Sequence, residues 1–71
     1  MIGKNFAFIH GNKITRGERY RVQFCGATHL AKVLRIMTQH GVHMVKFRVG
    51  WPIVGTYCTE SLSSFHVRMV R

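Results

Sequence analysis

The stretch from Ala31 to Trp51, AKVLRIMTQHGVHMVKFRVGW, decides the fold. Its second half carries the clearest periodic pattern in the chain, because apolar and mostly cationic residues alternate from Met44 to Val49. A period of two is typical of a half-buried β-strand with one apolar and one polar face. The turn-forming residues Gln39-His40-Gly41 come just before this strand. The pattern therefore predicts a hairpin in which the preceding segment folds back onto the strand.

The preceding segment, residues 28–40, fits two different structures. Its apolar residues from Leu30 to Met37 recur at helical spacing, and residues suited to capping stand at both ends. The same residues also form two period-two registers joined by a slip, which is the pattern of a β-bulge between Val33 and Leu34. Propensity allows both interpretations, so residues 28–40 alone leave strand and helix open.

The remaining segments are mostly short and extended. Residues Arg19 to Phe24 alternate cleanly and predict a strand with a basic outer face. The run Gly50-Trp51-Pro52 predicts a turn, and residues 53–59 then resume extended structure. Residues 60–64 predict one tight helical turn, and Phe65 to Val70 predict a closing strand.

The first 16 residues differ from the rest. Asn5 to Ile9 predict a short strand that pairs with the main sheet. The alternative is a flexible arm that carries Lys4, Lys13 and Arg16 towards a phosphate backbone. We therefore divide the chain into an N-terminal strand or arm, residues 1–16, and a main module, residues 17–71.

The charge balance is the strongest global feature of the sequence. Eleven Lys and Arg stand against two acidic residues, which gives a net charge of +9 and a pI near 11.0. Such a positive field attracts polyanions, of which nucleic acid, DNA or RNA, is the expected partner. No apolar run approaches the roughly 20 residues that span a membrane, so we expect no membrane insertion. The chain is long enough for one domain with a small core, which a homodimer would supplement.

Chemistry-bearing groups are sparse in the sequence. Glu18 and Glu60 are far apart in the sequence and there is no Asp, so few carboxylates are present for acid–base catalysis by a pair. Cys25 and Cys58 do not define a disulfide framework, and no secretion signal is evident, so we expect free thiols in a cytoplasmic protein. The Cys and His spacings match no established zinc module. We therefore expect no enzymatic activity, no metal and no cofactor.

The order of these segments resembles an SH3-like small β-barrel of the Tudor or KOW type. The likeness rests on GERYRV at 17–22, AKVLRI at 31–36, VKF at 45–47 with Gly50-Trp51, and the run from Leu62 to Val70. The resemblance implies a mainly β fold, a five-stranded barrel that binds nucleic acid or peptide, and it favours a strand at 28–40. An α+β fold with a helix there is the alternative. Methylated-cation binding is disfavoured, because a charge of +9 would repel a cationic ligand.

Strand alternation predicts where a polyanion would bind. If the apolar residues of each strand point inward, the intervening cations point outward. We expect a basic outer face with Trp51 at its rim as a base-stacking residue. The candidate contacts are Arg19, Arg21, Lys32, Arg35, Lys46, Arg48, Trp51 and Arg68. Lys32 and Arg35 share that face only if a bulge separates them. The alternative function is a small interaction module or inhibitor that docks on an acidic protein partner through the same field.

Overall fold

A computed structural model describes residues 5–51 and 55–70, with Trp51 described through its backbone. A two-stranded antiparallel sheet precedes a four-stranded antiparallel meander, which is followed by one short helix. The elements in chain order are β1 (Phe6–Ile9), β2 (Asn12–Thr15), β3 (Arg19–Phe24), β4 (Ala27–Gln39), β5 (Val42–Trp51), β6 (Thr56–Ser61) and α1 (Leu62–Arg68). The prediction of a mainly β fold is confirmed. No helix of the described ranges is long and apolar enough to cross a membrane.

Three of the hairpins share one kind of turn. The two loop residues are His10-Gly11, Cys25-Gly26 and His40-Gly41, and all six have positive φ angles. Two consecutive residues with positive φ form a type I′ turn, whose twist matches that of the flanking strands. The turn predicted at His40-Gly41 is confirmed. At the third turn φ is 50° at His40 and 77° at Gly41. Glycine adopts a positive φ without strain, because it has no Cβ.

The segment at 28–40 is a strand, and the helical alternative is wrong. Residues 28–39 lie within β4, which has 13 residues and pairs with both β3 and β5, and His40 begins the turn that follows. Its register against β5 shifts between Val33 and Arg35, where the sequence predicted a bulge, and again between Leu30 and Ala31. As a central strand, this segment buries Ala31, Val33 and Ile36 in the core, so tertiary packing overrides the helical spacing.

The core lies between one face of the meander, the first hairpin and α1. The residues predicted to point inward from β3 and β5 do face the core. Val22, Val45, Phe47 and Val49 are buried, and Tyr20 and Phe24 pack against them. The full buried apolar set is Ala7, Ile14, Val22, Ala31, Val33, Ile36, Val45, Phe47, Val49, Leu62 and Phe65. A core of this size is small, so each aromatic ring in it contributes a large share of the stability.

The C-terminal segment corrects the sequence prediction. Residues 65–68 belong to α1 rather than to a closing strand, and the helical turn predicted at 60–64 begins later and runs to Arg68. Ser61 caps the helix by accepting a hydrogen bond at its Oγ from the backbone N–H of Ser64 at 3.1 Å. Leu62 and Phe65 are buried three residues apart, as helical spacing requires, whereas Val67 is 82% exposed. The apparent alternation in this segment was therefore misleading.

The last described residues return to the edge of β3. Met69 forms a single antiparallel bridge with Val22, and the Val70 N–H donates to the carbonyl of Arg21 at 2.8 Å. The break predicted at Gly50-Trp51-Pro52 is also corrected in part, because β5 continues through Trp51. Residue 52, with part of the extended segment predicted at 53–59, lies outside the described residues. The four-stranded sheet remains open between β3 and β6.

We expect the His40-Gly41 turn to set a measurable part of the stability. Gly41→Ala should lower the free energy of unfolding by about 1 to 2 kcal/mol, because alanine is strained at positive φ. His40→Asn should raise it, because asparagine is preferred at the first position of a type I′ turn. Urea unfolding of both variants measures the two effects. Equal stability of all three proteins would contradict the turn assignment.

Phe65 should be the most sensitive position of α1. Its ring is fully buried, with its centroid 4.9 Å from that of Phe47. Phe65→Ala should cost about 3 to 5 kcal/mol, which approaches the whole stability of a domain this small. Val67→Ala is the matched control on the same helix, since that side chain is exposed and alanine favours helix. A Phe65→Ala variant as stable in urea as the control would show that α1 does not pack on the sheet as described.

Candidate nucleic-acid interface

Strand register brings three cations into one line across the outer face of the meander. Arg19 on β3 is paired with Lys32 on β4, and Lys32 is paired with Arg48 on β5. We call these three residues the basic row. Directly paired side chains on antiparallel strands have Cβ atoms about 4.5 to 5.5 Å apart. Like charges at that distance repel each other, so the arrangement destabilises the free sheet unless an anion lies between them.

The basic row lines a shallow cavity. Arg19, Lys32 and Arg48 share its wall with Leu30 and Gly50, and its volume is about 250 Å³. The backbone at Gly50 leaves the cavity open, since a Cβ added there would meet no described atom within 4 Å. Three cationic side chains around an open concavity can hold an anionic group such as a phosphate.

Arg48 contributes an unusual feature to this cavity. Its Nε is buried and has no hydrogen-bond partner among the described residues. A buried N–H of a charged group without an acceptor is costly, because its lost hydration is not replaced. Arg48 therefore combines an unsatisfied donor with a wall position in the cavity, which suits an external acceptor.

A second set of cations extends the same face. Arg35 on β4 is paired with Lys46 on β5, so the bulge does place Arg35 and Lys32 on the same side, as predicted. Both are exposed, as are Lys46 and Arg21. With the basic row, these residues bring six of the predicted contacts to one outer face.

No acidic side chain neutralises that face within the described ranges. The ion pair found among the described residues joins Arg68 to Glu60 on the other side of the sheet. Glu60 is paired with Val45 and follows two residues after Cys58, which is paired with the buried Phe47. The Glu60 side chain therefore points towards the helix-covered face, and none of the six outer cations forms an ion pair with a described acidic side chain.

Arg68 does not join the basic face. It was predicted on an outward strand face, but it lies in the last turn of α1, where its Nε donates to the two carboxylate oxygens of Glu60 at 2.7 and 2.9 Å. Its Nη1 donates to the carbonyl of Gln23, and its guanidinium lies over the Phe24 ring. The hydrogen bond to Glu60 raises the pKa of Arg68. The residue is engaged in holding α1 against the sheet.

The aromatic residue of the basic face is one that the sequence prediction did not select. Tyr57 on β6 is directly paired with Arg48, which places it at the end of the basic row, and its side chain is 60% exposed. The Lys46 Nζ lies 5.9 Å from the centre of its ring. Strand alternation from Cys58 would have found Tyr57 on the outer face. The predicted stacking residue Trp51 is described only through its backbone in β5, so its side chain lies outside the described part.

Other reactive side chains form no centre of three such groups in the described part. Cys25 and Cys58 are free thiols, and no group of three His, Cys, Asp or Glu within residues 5–51 and 55–70 could hold a metal ion. His29 is only 4% exposed, and neither of its ring nitrogens has a partner among the described residues. It lies against Phe24 on the core face, the face opposite the basic row. The described part therefore gathers cations on one outer face and brings no three possible metal ligands together.

Comparison with protein-family models, with curated proteins and with solved structures gave no match.

The two thiols should differ in reactivity. Burial, with a further contribution from the charge of Glu60, raises the pKa of the Cys58 thiol above its usual value. Because the thiolate is the nucleophile, iodoacetamide near pH 8 should modify the exposed Cys25 first and Cys58 more slowly. Peptide mass spectrometry over time measures the two rates. In urea the difference should vanish, and equal rates in the native protein would contradict the described environment of Cys58.

Proposed function

We propose that the chain is a non-enzymatic nucleic-acid-binding module that contacts phosphates through the outer face of its meander. The observation that carries the proposal is the basic row, in which three cations are paired across adjacent strands around one cavity. Nucleic acid is the polyanion whose regularly spaced phosphates would relieve such repulsion at several points at once. The Arg35–Lys46 pair and Arg21 extend the same surface and would track further phosphates.

The direct cross-strand register of the cations favours binding over mere solubility. Scattered charges of both signs keep a small protein soluble at little cost, whereas cations in direct cross-strand register lower its stability. The two acidic residues do not relieve this repulsion, because Glu60 is engaged with Arg68 and Glu18 makes no ion pair with a described residue. A bound phosphate backbone would release its counterions and gain the attraction of these residues.

We further propose that the module is an SH3-like barrel. Support comes from the order of four meander strands, a short helix, and a segment that returns through Met69 to the outer edge of β3. In this proposal the first hairpin caps the core, since Ala7 and Ile14 are buried in it, and the backbone N–H of Thr15 donates to the Tyr20 hydroxyl at 2.8 Å.

Removal of two members of the basic row should weaken binding. Lys32→Gln combined with Arg48→Gln should reduce the affinity for DNA and RNA of any sequence. The slope of log affinity against log salt should flatten by roughly 1.5 to 2 units, because two phosphate contacts are lost. Fluorescence anisotropy with labelled oligonucleotides at several salt concentrations measures both effects.

The matched control removes the same charge from a different surface. Lys13→Gln with Arg16→Gln neutralises two exposed cations on and just after β2, and it should change the slope little. The Lys32/Arg48 variant should also be at least as stable as the parent in urea, since cross-strand repulsion worth about 0.2 to 1 kcal/mol per pair is removed. An unchanged slope in a folded Lys32/Arg48 variant would overturn the proposal and favour an acidic protein partner.

A further inference from the structure

We infer that the basic face takes single-stranded nucleic acid, with a phosphate in the cavity of the basic row and the adjoining base stacked on Tyr57. This inference rests on the proposed function and specifies its ligand. The inference comes from the direct pairing of Arg48 with Tyr57, which places a cation of the cavity wall next to an exposed ring. A nucleotide presents the same two features, an anionic group and a flat aromatic base, a short distance apart.

The ring is accessible to a base. Tyr57 is the end member of the row Arg19, Lys32, Arg48 and Tyr57, which crosses all four strands of the meander. Its side chain is 60% exposed, and its described neighbour over the ring is the flexible Lys46 ammonium group, 5.9 Å from the ring centre. When a base covers the ring, that ammonium group can move to the next phosphate. Stacking on aromatic side chains accepts any base, because every base has a flat face.

The shape of the face disfavours a duplex. Four strands spaced about 4.8 Å apart make a sheet about 14 Å wide before side chains are counted. The major groove of B-DNA is about 12 Å wide and admits a helix or a two-stranded ribbon. In a duplex the base faces are covered by their neighbours, so the exposed Tyr57 ring would have no role. In a single strand the bases are free to turn onto the sheet.

The cavity gives a steric test that leaves every charge in place. A Cβ added at Gly50 meets no described atom within 4 Å, and Gly50 itself lines the cavity. Gly50→Val should therefore fold, since a β-branched residue suits a strand, and it should occupy the space proposed for the phosphate. The net charge stays at its original value, so any loss of binding would be steric.

The experiment measures anisotropy with three labelled probes of about 15 nucleotides: an oligothymidylate, a duplex of the same length, and an abasic strand with the same phosphates. The single strand should bind about tenfold or more tightly than the duplex or the abasic strand. Tyr57→Thr should weaken single-strand binding by about tenfold with the salt slope unchanged, and Tyr57→Phe should retain the affinity. Gly50→Val should weaken binding of all three probes.

The outcomes separate this inference from the proposed function. Salt-dependent binding in which the duplex equals the single strand, or in which Tyr57→Thr has no effect, would overturn the inference and leave the phosphate-binding function intact. Binding that survives in Gly50→Val would overturn the placement of the phosphate. Absence of salt-dependent binding to every probe would overturn the proposed function itself. Circular dichroism shows whether each variant is folded, and only folded variants enter the comparison of binding.

Discussion

Antiparallel pairing of β4 with β5 assigns each side chain of the meander to one of two faces, and a slip of one residue would exchange those faces. The register is fixed at one end by the His40-Gly41 turn, whose two positive φ angles join Gln39 to Val42. Further along, the register shift between Val33 and Arg35 changes the face of the sheet to which the following side chains of β4 point. Without this shift Arg35 would turn towards the core and the apolar residues of one half of β4 would face solvent. Both the core and the basic face therefore depend on one pairing.

The two faces of that pairing make opposite demands on stability. The inner face gathers a small set of buried residues around Phe47 and Phe65, and α1 completes it. The outer face stacks cations in register, which opposes the same pairing. A domain of this length has a stability of only several kcal/mol, so the repulsion is a noticeable fraction of the total. Under the proposed function, a polyanion bound to the outer face would offset this repulsion.

Sequence patterns predicted the faces of the strands well because a period of two depends only on local geometry. Arg19, Arg21, Lys46 and their inward neighbours lie where alternation placed them, and the bulge in β4 was visible as a slip in that period. The C-terminal segment misled because Phe65, Val67 and Met69 alternate while Leu62 and Phe65 also satisfy helical spacing. Only the packing of α1 on the sheet decides between these two periods. The cavity was not predictable, since it depends on the register between β3, β4 and β5 and on its two shifts, which alternation within a single strand does not specify.

Glu60 contributes its negative charge to the helix-covered face of the sheet and not to the outer face. By alternation it leaves β6 on the helix-covered face, where it holds Arg68 and so ties the end of α1 to the sheet. If Glu60 faced outward, it would lie beside Lys46 and Arg48 and reduce the field that draws a polyanion. One carboxylate thus stabilises the packing of the helix while the outer face stays purely cationic among its described residues. Substitutions on the two faces should consequently differ in effect: the inner face sets whether the chain folds, and the outer face, under the proposed function, sets what it binds at a small cost in stability.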